Sequence, residues 1–160
     1  MTPDATVYRM RRDLDGAVEP AVFPRGMIVR SFAKADARAV HSLLETAYWS
    51  GGGGAEKFQR WWPNLRKDAE FDPALCFLAE DREGIAGVAQ CWTSGFVKDL
   101  AVHPRVRKQG VGRALMLTAF AAFKARGWHH VELKVQADNP SGAVALYTAL
   151  GMRVVETLRM

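Results

Sequence analysis

At 160 residues and 49% apolar content, the chain has the size of one compact domain with a single buried core. Its formal charge of +5 and pI near 9.5 favour anionic partners, among them phosphorylated cofactors, nucleic acid and acidic proteins, without choosing among them. No run is long and apolar enough to span a membrane and the first residues lack an apolar leader core, so neither insertion nor export is expected. Cys76 and Cys91 lie in apolar, strand-like segments without metal spacing. They suit reduced, buried thiols in a cytoplasmic protein better than a disulfide.

Residues 1–26 carry Pro3, Pro20, Pro24 and scattered charge without sustained periodicity, and read as an N-terminal arm, partly ordered or forming an extra strand near Val7 to Met10. From Met27 to Phe32 a short strand is expected, then an amphipathic helix through Asp36, Val40, Leu43, Leu44 and Ala47. The tract Gly51 to Gly54 breaks the chain and is read either as a mobile lid or as an idle linker. A second helix, Ala55 to Lys67, is interrupted by Pro63. Leu75 to Glu80 and Ile85 to Thr93 form two strands around the turn Asp81-Arg82-Glu83-Gly84. Phe96 to His103 supplies another strand, Val111 to Arg126 a helix ended by Gly127, and His130 to Gln136 a strand. That is a β-α-β crossover, which makes its two strands parallel with the helix start at the carboxyl end of the first. A helix from Ser141 to Leu150 then leads through Gly151 into a last strand, Arg153 to Leu158. The fold class is mixed α/β: a mostly antiparallel sheet with a central, splayed parallel β-α-β pair and helices on both faces.

The junction at 103–114, His-Pro-Arg-Val-Arg-Lys-Gln-Gly-Val-Gly-Arg-Ala, sets four cations and two glycines at a strand-to-helix turn. A helix start has backbone N–H groups without intrahelical partners and the positive end of the macrodipole, so it receives anions. Gly110 and Gly112 let a diphosphate approach the main chain, while Arg105, Arg107, Lys108 and Arg113 add charge. The spacing is not that of a Walker loop, and Leu115 stands where a dinucleotide fingerprint needs a third small residue.

Arg107-Lys-Gln-Gly110-Val-Gly112 resembles the Arg/Gln-x-x-Gly-x-Gly/Ala motif of the GNAT superfamily of acyl-CoA-dependent N-acetyltransferases. Asn139 through Leu146-Tyr147 to Gly151-Met152 is similar to that family's later Asn...Leu-Tyr-x-x-x-Gly-Phe segment, with Met152 in place of phenylalanine. The resemblance runs over residues 27–160 by element order, as a single domain, and its motifs occupy 96–152. It implies acetyl-CoA as cosubstrate and an amine acceptor, with no metal. By position, the main chain of Leu100, Ala101 and Val102 would pair with the pantetheine arm, and the Leu100 N–H would stabilise the developing oxyanion. The phosphates would rest on Arg107, Lys108, Gln109, Gly110, Val111, Gly112, Arg113 and Ala114. Asn139 would bond the cofactor arm or act as a turn residue. Tyr147 would protonate the departing thiolate, a task that suits a phenol with an ordinary pKa of about 10.

The acceptor is expected to be a primary amine of a small molecule or of a peptide N-terminus, acetylated directly. Two other readings stand beside this one: a non-catalytic acyl-CoA sensor, and a basic nucleic-acid-binding domain, which would show steep salt dependence. Asp99, Glu80 and Glu132 are conceivable bases, but strand alternation puts Asp99 on the face opposite Leu100 and Val102, and none is assigned. Trp61 and Trp62 line either a substrate pocket or the core, and the same holds for Trp49, Trp92 and Trp128. His41, His103, His129 and His130 are scattered. Oligomeric state is open, with a homodimer as one option.

Overall fold

A computed structural model describes residues 5–50 and 56–159, with only the backbone of 48–50. The tract Gly51 to Gly54 and the Trp49 side chain lie outside this description. In chain order the elements are β1 (Thr6–Asp13), β2 (Ile28–Ser31), α1 (Ala37–Ser50), α2 (Phe58–Lys67), β3 (Phe71–Asp81), β4 (Gly84–Trp92), β5 (Phe96–Val102), α3 (Val111–Ala125), β6 (His130–Gln136), α4 (Ala143–Ala149) and β7 (Arg153–Arg159). One sheet holds the strands in the order β2-β3-β4-β5-β6-β1-β7. All neighbours are antiparallel except β5 and β6, the pair that the crossover through α3 makes parallel.

Local chemistry accounts for most of these elements. Asp81 pairs with Gly84 across the two-residue turn that closes the β3–β4 hairpin. Pro63 sits inside α2 without ending it, so that helix is continuous from Phe58 rather than interrupted. Ser141 and Gly142 precede α4, which is a turn shorter than its apolar pattern suggests because Asn139 folds the chain back onto Ser141.

The sheet divides the apolar interior in two. On one face α3 buries Val111, Leu115, Met116, Phe120 and Phe123 against β3, β4 and β6. Fully burying side chains of this size stabilises the fold by roughly 1.5–3 kcal/mol each. The contact is close because Gly87 of β4 carries no side chain: a Cβ there would meet Leu115 Cδ1 at 2.9 Å and Val111 Cγ1 at 3.1 Å. On the other face α1 and α2 cover Cys76, Leu78, Val88 and Ala101 with Val40, Leu43, Leu44, Trp61 and Leu65. Trp61 is buried there and Trp62 packs on Phe32 and Phe71, so both indoles belong to an aromatic cluster. Both cysteines are free and buried. Burial pushes the Cys91 thiol far up.

β1 lies between β6 and β7, in register from Val7↔Gln136 to Asp13↔His130 on one side and from Thr6↔Arg159 to Arg11↔Arg153 on the other. Met10 of this strand enters the core under α3, while Arg9 and Arg11 face away and clasp Glu132 at 2.8 and 2.5 Å. The segment after β1 then crosses the α3 side, packing Leu14, Val18, Ala21 and Phe23 on the core.

Candidate active site

β5 and β6 are registered as partners only at Phe96↔Glu132 and Val97↔Leu133. Beyond Val97 they part, so Lys98 to Val102 have no registered β6 partner among the described residues. An opening of this kind leaves main-chain donors and acceptors that need a partner from elsewhere. A bulge between Gln90 and Cys91 marks the point of divergence, where Gln90 faces Asp99 but Cys91 faces Val97, leaving Lys98 over.

Leu100 and Val102 turn their side chains to the α3 side of this wedge, where they pack against the same core cluster as Val144 and Leu146 of α4. Ala101 points to the other face and brings only its main chain to the opening. Gly112, in the first turn of α3, stands over the same group: a Cβ on it would lie 3.5 Å from Leu146 Cδ2, 3.6 Å from Val102 Cγ2 and 3.9 Å from Leu100 Cδ2.

After β5 the chain makes a tight turn over Pro104–Val106, held by Arg105 N–H donating to His103 Nδ1 at 3.1 Å and anchored by buried Val106. Arg107, Lys108, Gln109 and Gly110 are then exposed in sequence. Lys108 has φ +63° and Gly110 φ +83°, two left-handed residues on either side of Gln109. Such turns aim successive N–H groups into a concavity that fits an anion. Gly110 is the N-cap of α3, no side chain caps the helix, and a Cβ at Gly110 would meet nothing within 4 Å. The cradle is thus open above a helix start. Val111 and Ala114 send their side chains to the core, and the Ala114 N–H is already bonded to the Gly110 carbonyl at 3.0 Å. Val111, Gly112 and Arg113 supply the first-turn amides.

The cations differ in their commitments. Arg105 is turned onto the β3–β4 hairpin, donating to Asp81 at 2.7 and 3.0 Å and to Glu83 at 3.1 Å, and its charge is neutralised there rather than added to the cradle. Arg113 reaches Glu19 at 2.6 Å. Arg107 and Lys108 are exposed on the loop surface.

Tyr147 on α4 is 7% exposed, within the core cluster against which Leu100, Val102 and Leu146 pack. Burial pushes its hydroxyl up to about 12, so it keeps its proton throughout the neutral range. The Asn139 side-chain Oδ1 accepts from Ser141 N–H at 2.8 Å and from the Ser141 hydroxyl at 2.5 Å, which is the turn role. The structure brings the Gly110 loop, Leu100, Val102 and Tyr147 to one side of the sheet. Asp99 is on the other, as alternation requires.

A separate cleft of about 390 Å³ lies between α1 and α2, lined by Arg38, His41, Glu45, Lys57 and Phe58, with no wall on α3. His41 is held there by the Glu56 carbonyl at 2.5 Å and Glu45 at 3.3 Å. Among the described residues no group of three or more His, Cys, Asp or Glu could hold a metal ion, and no helix is long and apolar enough to cross a membrane.

Comparison with known proteins adds to this geometry. The sequence model described as the Acetyltransferase (GNAT) family matches residues 38–152. The chain is 31% identical over 172 residues to a mycothiol acetyltransferase of Thermobispora bispora, covering 94% of this chain and 55% of that protein. It is 34% identical over 157 residues to a mycothiol acetyltransferase of Actinosynnema mirum, covering 91% and 50%. Among solved structures, a GCN5-related N-acetyltransferase from Sphaerobacter thermophilus is similar with a TM-score of 0.84 and 28% identity, over 99% of this chain and 51% of that one. The chain spans about half the length of the curated relatives it matches.

Proposed function

Because the chain belongs to the GNAT family of acetyltransferases, we propose that it transfers an acetyl group from acetyl-CoA directly to a primary amine. The observation that carries this reading is the pairing of an open, left-handed Gly110 loop with the wedge that begins after Val97 on the preceding strand. A diphosphate fits the first; an extended thioester arm fits the second.

The chain's own groups then divide the work. Amides of Val111, Gly112 and Arg113, with Arg107 and Lys108 at the rim, hold the phosphates. Main-chain groups of Leu100, Ala101 and Val102 bond the arm as an added strand would, and the Leu100 N–H faces the carbonyl oxygen as its charge grows. The amine nitrogen forms the new C–N bond and the C–S bond breaks with its electron pair on sulfur. Tyr147 gives its proton to that thiolate and regains one from solvent, to which the proton lost by nitrogen passes.

The name of these relatives, mycothiol acetyltransferase, supports a small-molecule acceptor over a peptide N-terminus. The test is release of free thiol from acetyl-CoA across a panel of primary amines. Measurable turnover with at least one amine is expected. Tight CoA binding without transfer to any amine would favour a sensor instead, and binding of DNA or RNA in preference to CoA would overturn the reading.

A further inference from the structure

Tyr147 is carried by α4, a helix of only 7 residues. Isolated helices shorter than about 12–15 residues are marginal in water, so the elements around α4 must fix its place. At its start Gly142 is left-handed, at φ +78°, and offers no side chain as a cap. Its end is held differently. Gly151 N–H donates to the Thr148 carbonyl and Met152 N–H to the Tyr147 carbonyl, each at 3.0 Å, which closes the last turn. The Leu150 carbonyl takes a partner from far away in the chain: Arg12 of β1 donates to it through Nη1 at 3.2 Å.

Arg12 shares the α3 side of the sheet with Met10, two positions earlier on the strand. Its guanidinium carbon lies 4.8 Å from the centroid of the Phe120 ring on α3, whose side chain is fully buried. Its Nη2 donates to the Ala17 carbonyl at 3.3 Å, on the segment that crosses α3 after β1. The stem passes beside Gly151, where a Cβ would lie 3.7 Å from Arg12 Cδ and 3.8 Å from Nε. One side chain therefore joins β1, α3, α4 and the crossing segment. A planar fork of donors with a flat face for an aromatic ring suits this task, and a cation is favourable at the negative end of a helix.

We infer that Arg12 is a positioning residue for the transfer reaction: by holding the carboxyl end of α4 against β1 and α3, it sets where the Tyr147 hydroxyl stands relative to the departing sulfur. This rests on the acid role proposed for Tyr147 and deepens it. Arg12 acts through α4 and adds no proton step of its own. Tyr147 lies less than one helical turn before the anchored Leu150, so freeing that end displaces it directly. Proton donation needs heavy atoms within about 2.6–3.2 Å, and a misplacement of about 1 Å can cost about a hundred-fold in rate. Arg12 is brought beside α4 only because β1 inserts between β6 and β7.

The experiment compares the parent, Arg12→Met, Tyr147→Phe and the double variant, each as the full chain. Methionine keeps an unbranched side chain over Phe120 and removes the donors. Amide hydrogen exchange at Gly151 and Met152 is expected to speed up in Arg12→Met by about ten-fold more than exchange at Phe120. With acetyl-CoA and the fastest amine of the panel, Arg12→Met should lower kcat about ten- to a hundred-fold and leave CoA affinity within about two-fold. In the Tyr147→Phe background the same change should lower kcat by less than about two-fold, because the group it positions is gone. If Arg12→Met does not fold, Arg12→Lys, which retains the stem and the charge without the fork, runs the same cycle with an expected loss of about three- to ten-fold. Equal losses of kcat in both backgrounds mark a merely structural role and would overturn the assignment, as would exchange at Gly151 and Met152 that only follows Phe120. Parent-like kcat in Tyr147→Phe, or no turnover with any amine, would instead end the acid reading and this inference with it.

Discussion

Glu19, on the segment that follows β1, places its Oε2 2.6 Å from Nη2 of Arg113 in the first turn of α3. A carboxylate from early in the chain thus neutralises a cation at the mouth of the proposed phosphate cradle. Both side chains are well exposed, at 61% and 40%, so the pair contributes at most about 1 kcal/mol to stability. Glu19→Gln is therefore expected to leave Tm nearly unchanged and to tighten CoA binding by several-fold at low salt, with the gain fading as salt rises. Calorimetric titration at two ionic strengths checks this; weaker binding in the variant would count against a phosphate role for Arg113.

The two glycines of the loop should respond differently to the same change. Gly110 is left-handed at φ +83°, where an alanine costs about 1–2 kcal/mol, so Gly110→Ala should lower both Tm and CoA affinity. A Cβ on Gly112 finds only ordinary contacts of 3.5–3.9 Å, and alanine suits a helix better by up to about 1 kcal/mol. Gly112→Ala should thus preserve or raise Tm while weakening CoA, because the methyl group projects toward the wedge. If Gly112→Ala binds CoA as well as the parent, the diphosphate does not pass over it.

Tyr147→Phe is expected to reduce kcat by about 10²–10⁴ and to change CoA affinity by less than about two-fold. The same variant tests the titration. Since burial raises the folded-state hydroxyl to about 12 from an ordinary value near 10, the unfolded chain releases that proton first. The stability that Tyr147 contributes is therefore complete below pH 10 and declines between about pH 10 and 12. Denaturant titrations should show a difference between parent and Tyr147→Phe that shrinks by about 2–3 kcal/mol over that interval. A difference independent of pH would mean that the hydroxyl is better solvated than its burial indicates.

Glu132 joins β6 to β1 through Arg11 and Arg9. Burial alone would raise its pKa, but hydrogen bonds from the two guanidinium groups outweigh it and leave the carboxyl below its ordinary value. A depressed carboxylate contributes stability that is present above its unfolded pKa and is lost as the pH falls through the folded one. Glu132→Gln should hence cost about 1–3 kcal/mol at pH 7 and progressively less below about pH 4.5. Parallel denaturation curves at pH 7 and pH 3 test this; an equal loss at both would point to packing rather than charge.

The elements whose cause is local were legible in the sequence. The Asp81-Arg82-Glu83-Gly84 turn, the apolar helix from Val111 and its glycine start are set by residues within a few positions of one another. The place of β1 was not legible, because only Met10 of that strand is deeply buried and its partners lie more than a hundred residues away on β6 and β7. The same limit governed the site. Gly110 could be read from the motif, but not that Arg105 is taken by Asp81 or Arg113 by Glu19, since ion pairs between distant residues leave no period in the chain. Asp99 could be put on the correct face by alternation, yet nothing adjacent to Gln90 indicated that its Oε1 would be buried with no hydrogen-bond partner among the described residues.

By itself the sequence determined a glycine-led helix start, a crossover that makes two strands parallel, and a tyrosine on the helix that follows them, because backbone geometry follows from short-range sterics and spacing. Only the tertiary structure decided which charges stay available, where the two strands part and which polar atoms meet at that point. Those depend on pairs of groups that are distant in the chain, and their energies exist only once the sheet has brought them together.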